Sequence, residues 1–158
     1  MEKCLFCSMN DEPSAEEILE TIHWRTVVHY DQYYFGRCTV FLKRHAESLE
    51  TLTVDEWADL KSVIDRMESF FRGEFGADLF NWACLMNLAY RAEVPNPHVH
   101  FHFRPRYRNA VEFEGETFLD PEFGGHYQIS GKRPLSEATR RALVERLKES
   151  LSREDLTR

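Results

Sequence analysis

Residues 96–107 read Asn96-Pro97-His98-Val99-His100-Phe101-His102-Phe103-Arg104-Pro105-Arg106-Tyr107, and the alternation inside this stretch decides the fold. Successive side chains of a strand point to opposite faces, so Val99, Phe101 and Phe103 share one face and His98, His100 and His102 the other. The spacing predicts a strand over His98–Phe103 whose apolar face enters a core while the imidazoles line a surface.

Three readings compete for the imidazole face. Satisfied histidines on a solvated sheet fit poorly, because imidazole is a weak core filler and each ring nitrogen needs a partner. A metal site made of all three rings is geometrically awkward, since alternate positions spread over about 13 Å at about 3.3 Å per residue. Nucleophilic or general-base work by one ring that its neighbours orient needs only pairwise reach, and it falls on the middle residue, His100. Arg104, Arg106 and Arg108 continue the same parity, so a persistent strand would set three guanidiniums after three imidazoles, a clamp for phosphate oxygens. Against this, Pro105 removes a ladder donor and is expected to mark an edge or the end of the strand, leaving the arginines to face water.

Outward from this stretch, Leu79–Asn87 is a mostly apolar run read as a buried strand, and His23–Tyr30 and Cys38–Lys43 are two more, rich in β-branched and aromatic residues. Thr53 with Glu56 forms a capping box before Trp57, Leu60, Val63, Ile64, Met67, Phe70 and Phe71, the spacing of an amphipathic helix ending near Gly73 or Gly76. Ser14 with Glu17, after Pro13, predicts a shorter helix to about Thr21, and Ser136 a last one carrying Leu143, Leu147 and Leu151. A hairpin is expected around Glu114-Gly115. The stretch Asp120–Arg133 reads as irregular, with Gly124-Gly125 and Gly131 as punctuation. The fold class is α+β with about five antiparallel strands, two main helices and a C-terminal helical extension.

The chain has 158 residues, 42% of them hydrophobic, the size of one domain. Its 20 Lys and Arg against 27 Asp and Glu give a net charge of −7, which argues against general nucleic-acid binding. Residues 132–158 hold eight basic and five acidic groups, so this tail is +3 and the remainder −10, read as a solvated amphipathic helix. No apolar run approaches the roughly 18–20 residues that span a bilayer, and Met1-Glu2-Lys3-Cys4 leads to Asp11, Glu12 and Glu16 rather than a signal segment. A cytoplasmic protein without a membrane partner is expected.

In such a chain Cys4-x-x-Cys7 has the spacing of a zinc half-site. His45, at the end of a predicted strand, and His98 would complete a Cys2His2 set that leaves His100 free for chemistry. Cys38 and Cys84 lie inside apolar strands, where an inert buried thiol is expected.

At these residues the sequence resembles the histidine triad (HIT) family of nucleotide hydrolases and transferases. Pro97–Phe103 matches the signature His-x-His-x-His, Cys4-x-x-Cys7 looks like the pair of the zinc-bearing subgroup, and Gly36–His45 resembles the family's strand ending in Lys-x-His. Asn87, thirteen residues before His100, stands where members place a nucleotide-contacting Asn. The resemblance covers about residues 4–107, giving a HIT-like domain over 1–107 and an extension, 108–158, packed on the same domain.

The resemblance implies that His100 attacks the α-phosphorus of a nucleotide conjugate, forming a nucleotidyl-histidine that water or a phosphate acceptor resolves. His102 would donate to a phosphate oxygen or the leaving group, and Asn87 would help place sugar and phosphate. It further implies a homodimer whose sheets join, structural zinc on Cys4, Cys7, His45 and His98, and no metal in the chemical step. Three departures stand out. Gly36-Arg37 replaces a common Gly-His, putting a permanent cation on the phosphate side. Glu93-Val94-Pro95-Asn96 replaces a Gly-Gln-Ser/Thr segment and has no hydroxyl, so either Asn96 compensates or the substrate differs. Arg104 and Arg106 replace a more apolar ending. The added charge suits a longer phosphate chain, so a dinucleoside polyphosphate is expected ahead of a nucleoside phosphoramidate. A nucleotide-binding adaptor that keeps the scaffold without efficient chemistry is the alternative, and a zinc-dependent structural module a third reading. His126, in Gly124-Gly125-His126-Tyr127, is read as surface.

Overall fold

The structure is a computed structural model that describes residues 4–12, 14–127 and 131–153. Outside these lie Met1–Lys3, Pro13, Gln128–Ser130 within the irregular stretch, and 154–158 of the basic tail.

The elements run α1 (Leu5–Asp11), β1 (Glu17–Glu20), β2 (Trp24–Val28), β3 (Cys38–Leu42), α2 (Val54–Phe75), β4 (Leu79–Ala83), β5 (His100–Arg106), β6 (Val111–Phe113), β7 (Glu116–Phe118) and α3 (Glu137–Arg153). Five strands form one antiparallel sheet in the order β1-β2-β3-β5-β4, and β6 and β7 form the hairpin expected at Glu114-Gly115.

Helix α2 begins as its sequence dictates. The Thr53 hydroxyl accepts from the Glu56 N–H at 3.2 Å, and the Glu56 carboxylate accepts from the Thr53 N–H at 2.8 Å. Arg44 also pairs with Glu56, and that hydrogen bond, ahead of the cap itself, holds the Glu56 carboxyl at about 2. Gly76, at φ 68°, closes the other end in the left-handed region that glycine tolerates. Leu60, Val63, Met67, Phe70 and Phe71 are buried and share one core with Trp24, Cys38, Val40, Leu42 and Phe103. Gly36 lies against this helix, where a Cβ would stand 2.1 Å from the Phe71 ring. Leu143, Leu147 and Leu151 of α3 enter the same core, and α3 lies against β1.

Several expectations change. Ser14 makes a turn rather than a helix: its hydroxyl accepts from the Glu16 N–H at 3.2 Å, after which Ile18 and Leu19 are buried by pairing with β2. The first helix instead carries Cys7, with Cys4 at its N-cap. Strand β4 stops at Ala83 and is half-buried, so Cys84 lies beyond it and Asn87 opens a 3-10 turn over Asn87–Arg91. Cys38 is fully buried, whereas Cys84 is only half-buried. Strand β5 begins at His100 and runs through Pro105, because pairing with β3 ends at Phe103 and beyond it only β4 pairs.

Candidate functional site

Directly opposite residues of an antiparallel sheet share a face, so the registers assemble the site. Thr39 lies opposite His102, Phe41 opposite both His100 and Arg25, and Asn81 opposite Arg104. The face away from α2 therefore carries His100, His102, Arg104, Thr39, Phe41 and Asn81. Helix α1 crosses one end of it, held by Arg25, whose guanidinium donates to the carbonyls of Met9 and Asn10 at 3.2 and 3.3 Å.

His98 leaves the triad for this end. Its Nε2–H donates to the Leu42 carbonyl at 2.7 Å, turning a bare Nδ1 towards Cys4 Sγ at 3.3 Å, Cys7 Sγ at 3.6 Å and His45 Nδ1 at 3.3 Å. Cys7 Sγ lies 3.4 Å from His45 Nδ1, and the four donor atoms all fall within 4.8 Å of one another. Tetrahedral zinc with bonds of about 2.0–2.3 Å sets its ligands about 3.3–3.8 Å apart, so the donor set fits that ion. The carbonyl on the far nitrogen of His98 fixes the tautomer a metal needs.

His100 Nδ1–H donates to the His98 carbonyl at 2.8 Å, which leaves the Nε2 lone pair directed away from the backbone. Burial lowers its pKa, which favours the neutral ring. Phe6 packs on this ring with centroids 4.6 Å apart, and on His98 and Phe41 at 5.3 and 5.1 Å. His102 stands edge-on to His100 at 5.0 Å. Burial first, then His100, Arg104 and Arg37, push its pKa down to about 3, and its Nδ1 is buried without a partner.

The other end of the face is cationic. Arg37 donates to Asp31 at 2.7 Å, and Asp31 is itself fixed by the N–H groups of Tyr33 and Arg133 at 3.0 and 2.9 Å. Arg104 is 4% exposed and lies over the Tyr127 ring at 4.2 Å. Arg106 is turned to structure: its five N–H groups donate to both Asp120 oxygens, Asn81 Oδ1 and the carbonyls of Glu122 and Gly125, leaving none for a ligand. Arg108 has left the strand and is exposed over Phe123. Asn87 and Asn96 are exposed on the segment between β4 and β5, and His126 is exposed as well.

Sequence reasoning missed His29, which follows β2 and sits close enough to His102 to oppose its protonation. Its pKa falls to about 4, mainly by burial and then by Arg37. Its signal was available in part, since parity within His23–Tyr30 puts it on the face of Val27, but only the register with β3 brings it to Arg37. Tyr127 and Asp120 were equally hidden, because they reach the site on a loop.

No protein-family model matches the sequence, and no curated protein matches it. Solved structures do. A hypothetical histidine triad nucleotide-binding protein from Sulfolobus tokodaii strain 7 is similar with a TM-score of 0.64 and 20% identity, over 95% of this chain and 93% of that one. A zinc-bound histidine triad family protein from Mycobacterium smegmatis is similar at 0.62 and 22%, over 98% and 97%. A diadenosine triphosphate hydrolase from Plasmodium falciparum, in complex with cyclomarin A, is similar at 0.61 and 15%, over 89% and 79%. The chain thus has the α+β histidine triad fold.

Proposed function

We propose that the protein is a nucleotide hydrolase or nucleotidyltransferase acting at the α-phosphorus of a nucleotide conjugate through His100. The observation that carries this reading is the His100 tautomer: Nδ1 is committed to the His98 carbonyl, so Nε2 offers its lone pair from a ring whose neutral form burial favours. The similar hydrolase from Plasmodium falciparum, and the nucleotide-binding description of the Sulfolobus protein, support a nucleotide substrate.

Nε2 forms a bond to phosphorus as the bond to the leaving oxygen breaks, and that oxygen departs with the electron pair and takes up a proton. Water, or a phosphate acceptor, then displaces the histidine and regenerates the ring. His102, also neutral, serves as an N–H donor to a non-bridging oxygen. Arg37 and Arg104 favour a phosphate chain over a phosphoramidate, which points to a dinucleoside polyphosphate. Zinc would sit on Cys4, Cys7, His45 and His98, where it ties α1 and Phe6 to the nucleophile.

A homodimer belongs to the same proposal. Among the described residues β4 pairs only with β5, so its outer edge is open to a second sheet. Light scattering should return twice the 18.7 kDa chain mass, and a monomeric mass would remove this part.

The test of the chemistry is chromatography after mixing the full chain with diadenosine tetraphosphate, with and without inorganic phosphate. Mononucleotides should form with the native chain and vanish with His100→Ala, while the melting temperature stays close to native. Equal turnover by His100→Ala would overturn the reading. Nucleotide binding without any turnover would favour the adaptor.

No helix among the described residues is long and apolar enough to cross a membrane. A cytoplasmic setting remains part of the proposal, supported by Cys4 and Cys7, which gather with His45 and His98 as a metal-type cluster.

A further inference from the structure

We propose that Arg37 and Arg104, with His29 and the face of Tyr127, form a second anion site that holds a phosphate dianion other than the one His100 attacks. The inference rests on the nucleotidyl reading only for what lies beside that dianion.

The starting observation is a contrast on one strand. Arg106 is buried with every donor matched, whereas Arg104, two residues earlier and 4% exposed, has no ion pair and no side-chain hydrogen bond among the described residues. Its Nη1 is buried without a partner among the described residues, and its guanidinium rests on the Tyr127 ring. A buried charge is tolerated when it is paired and hydrogen-bonded, and here neither holds.

The neighbours sharpen this. Arg37 and Arg104 each lie one residue beyond the last β3–β5 pair, Cys38 with Phe103, and the charge that acts most on Arg104 is this second cation. Arg37 spends Nη1 on Asp31, but its Nε is buried and unpartnered. Just after β2, His29 Nδ1 faces the Asp31 backbone, 3.1 Å from its N–H and 3.3 Å from its carbonyl, so Nε2 is the ring nitrogen that the backbone does not engage. Burial and Arg37 together bring the Arg104 pKa down to about 10, the mark of a cation that lacks its counter-ion.

Two guanidiniums with unmatched donors, beside an imidazole, suit a tetrahedral oxyanion with several oxygens better than a planar carboxylate. Position separates it from the attacked phosphate. Arg104 follows His102 by two residues, about 6.6 Å along the strand, at the end away from the Cys4 and Cys7 cluster. A phosphate there has two chemical sources: a distal phosphoryl group of the leaving chain, or inorganic phosphate waiting as acceptor.

The experiment is calorimetric titration and thermal melting of the full chain, zinc-loaded, with inorganic phosphate, AMP and ADP as probes. Phosphate or ADP should bind the native chain and His100→Ala alike, and bind Arg104→Met at least about tenfold more weakly. A preference for ADP over AMP that disappears in Arg104→Met identifies the distal phosphoryl group. Phosphate binding that persists with AMP bound identifies the acceptor. Without ligand, Arg104→Met should melt at or above the native temperature, because an uncompensated charge has been removed. The proposal is overturned if Arg104→Met keeps native affinity for phosphate and the native preference for ADP, if the native chain shows neither, or if the variant melts well below native without ligand. Native turnover by His100→Ala with loss of anion binding in Arg104→Met would instead remove the nucleotidyl reading and leave the anion site standing.

Discussion

Arg104 and Arg106 occupy equivalent faces of β5 and follow the same local sequence logic, yet their surroundings give them opposite work. Asp120, 3% exposed at its side chain, receives Arg106 bidentately at 2.6 and 2.9 Å. Arg106→Met would leave that carboxylate buried without its cation, so we expect a loss of about 3–5 kcal/mol in urea denaturation. A loss within about 0.5 kcal/mol would show that Asp120 finds water instead. Residues of β5 were legible because alternation with period two is written in the sequence itself. Which of the two arginines was free was not legible, since Asp120 and Tyr127 come from a loop that no periodicity reports. His29 illustrates the intermediate case: its strand could be read, but its neighbour Arg37 follows from a register that one strand alone does not contain.

At the scale of elements, the capping box of α2 was legible because Thr53 and Glu56 satisfy each other's backbone donors wherever the chain then turns helical. Ser14 with Glu17 has the same letters and a different outcome. Four residues with Ile18 and Leu19 at the centre gain more by pairing with β2 than by a short helix whose apolar face would stay wet. Helix α1 is the inverse: seven residues, no side-chain cap and no buried residue would not persist alone in water. Its anchors are the Cys4 and Cys7 cluster, the Phe6 ring and the Arg25 contacts. Bound zinc should therefore be one per chain, and removing it with a chelator should raise hydrogen exchange across 4–12 while leaving α2 protected. Cys4→Ser should reproduce that pattern and slow turnover, because Phe6 loses its hold on His100. Unchanged exchange in the metal-free chain would show that Arg25 and Phe6 suffice.

For the whole molecule, the segment after β5 does what the sequence left open. Residues 118–127 wall the cationic end of the site through Asp120, Glu122 and Tyr127, Arg133 N–H steadies Asp31, and α3 completes the core beside β1. Closing that wall buries imidazoles, and this couples global stability to pH. His29 and His102 are neutral in the folded chain, with pKa values brought down from 6.5 to about 4 and about 3, chiefly by burial. The unfolded chain takes up protons at these rings as pH falls through 6.5, and the folded chain does not. Stability then falls with pH from about 6.5 down to about 4 for His29, and further for His102. Carboxylates held low, such as Glu56 at about 2, act in the same direction only as pH drops through 4.5 and below, so the interval from pH 6.5 to 5 isolates the imidazoles. Urea midpoints across that interval should decline towards acid, and in His29→Gln the slope should be shallower by about one proton's worth. A slope that His29→Gln leaves unchanged would mean that His29 is protonated in the folded chain, which its place beside Arg37 opposes.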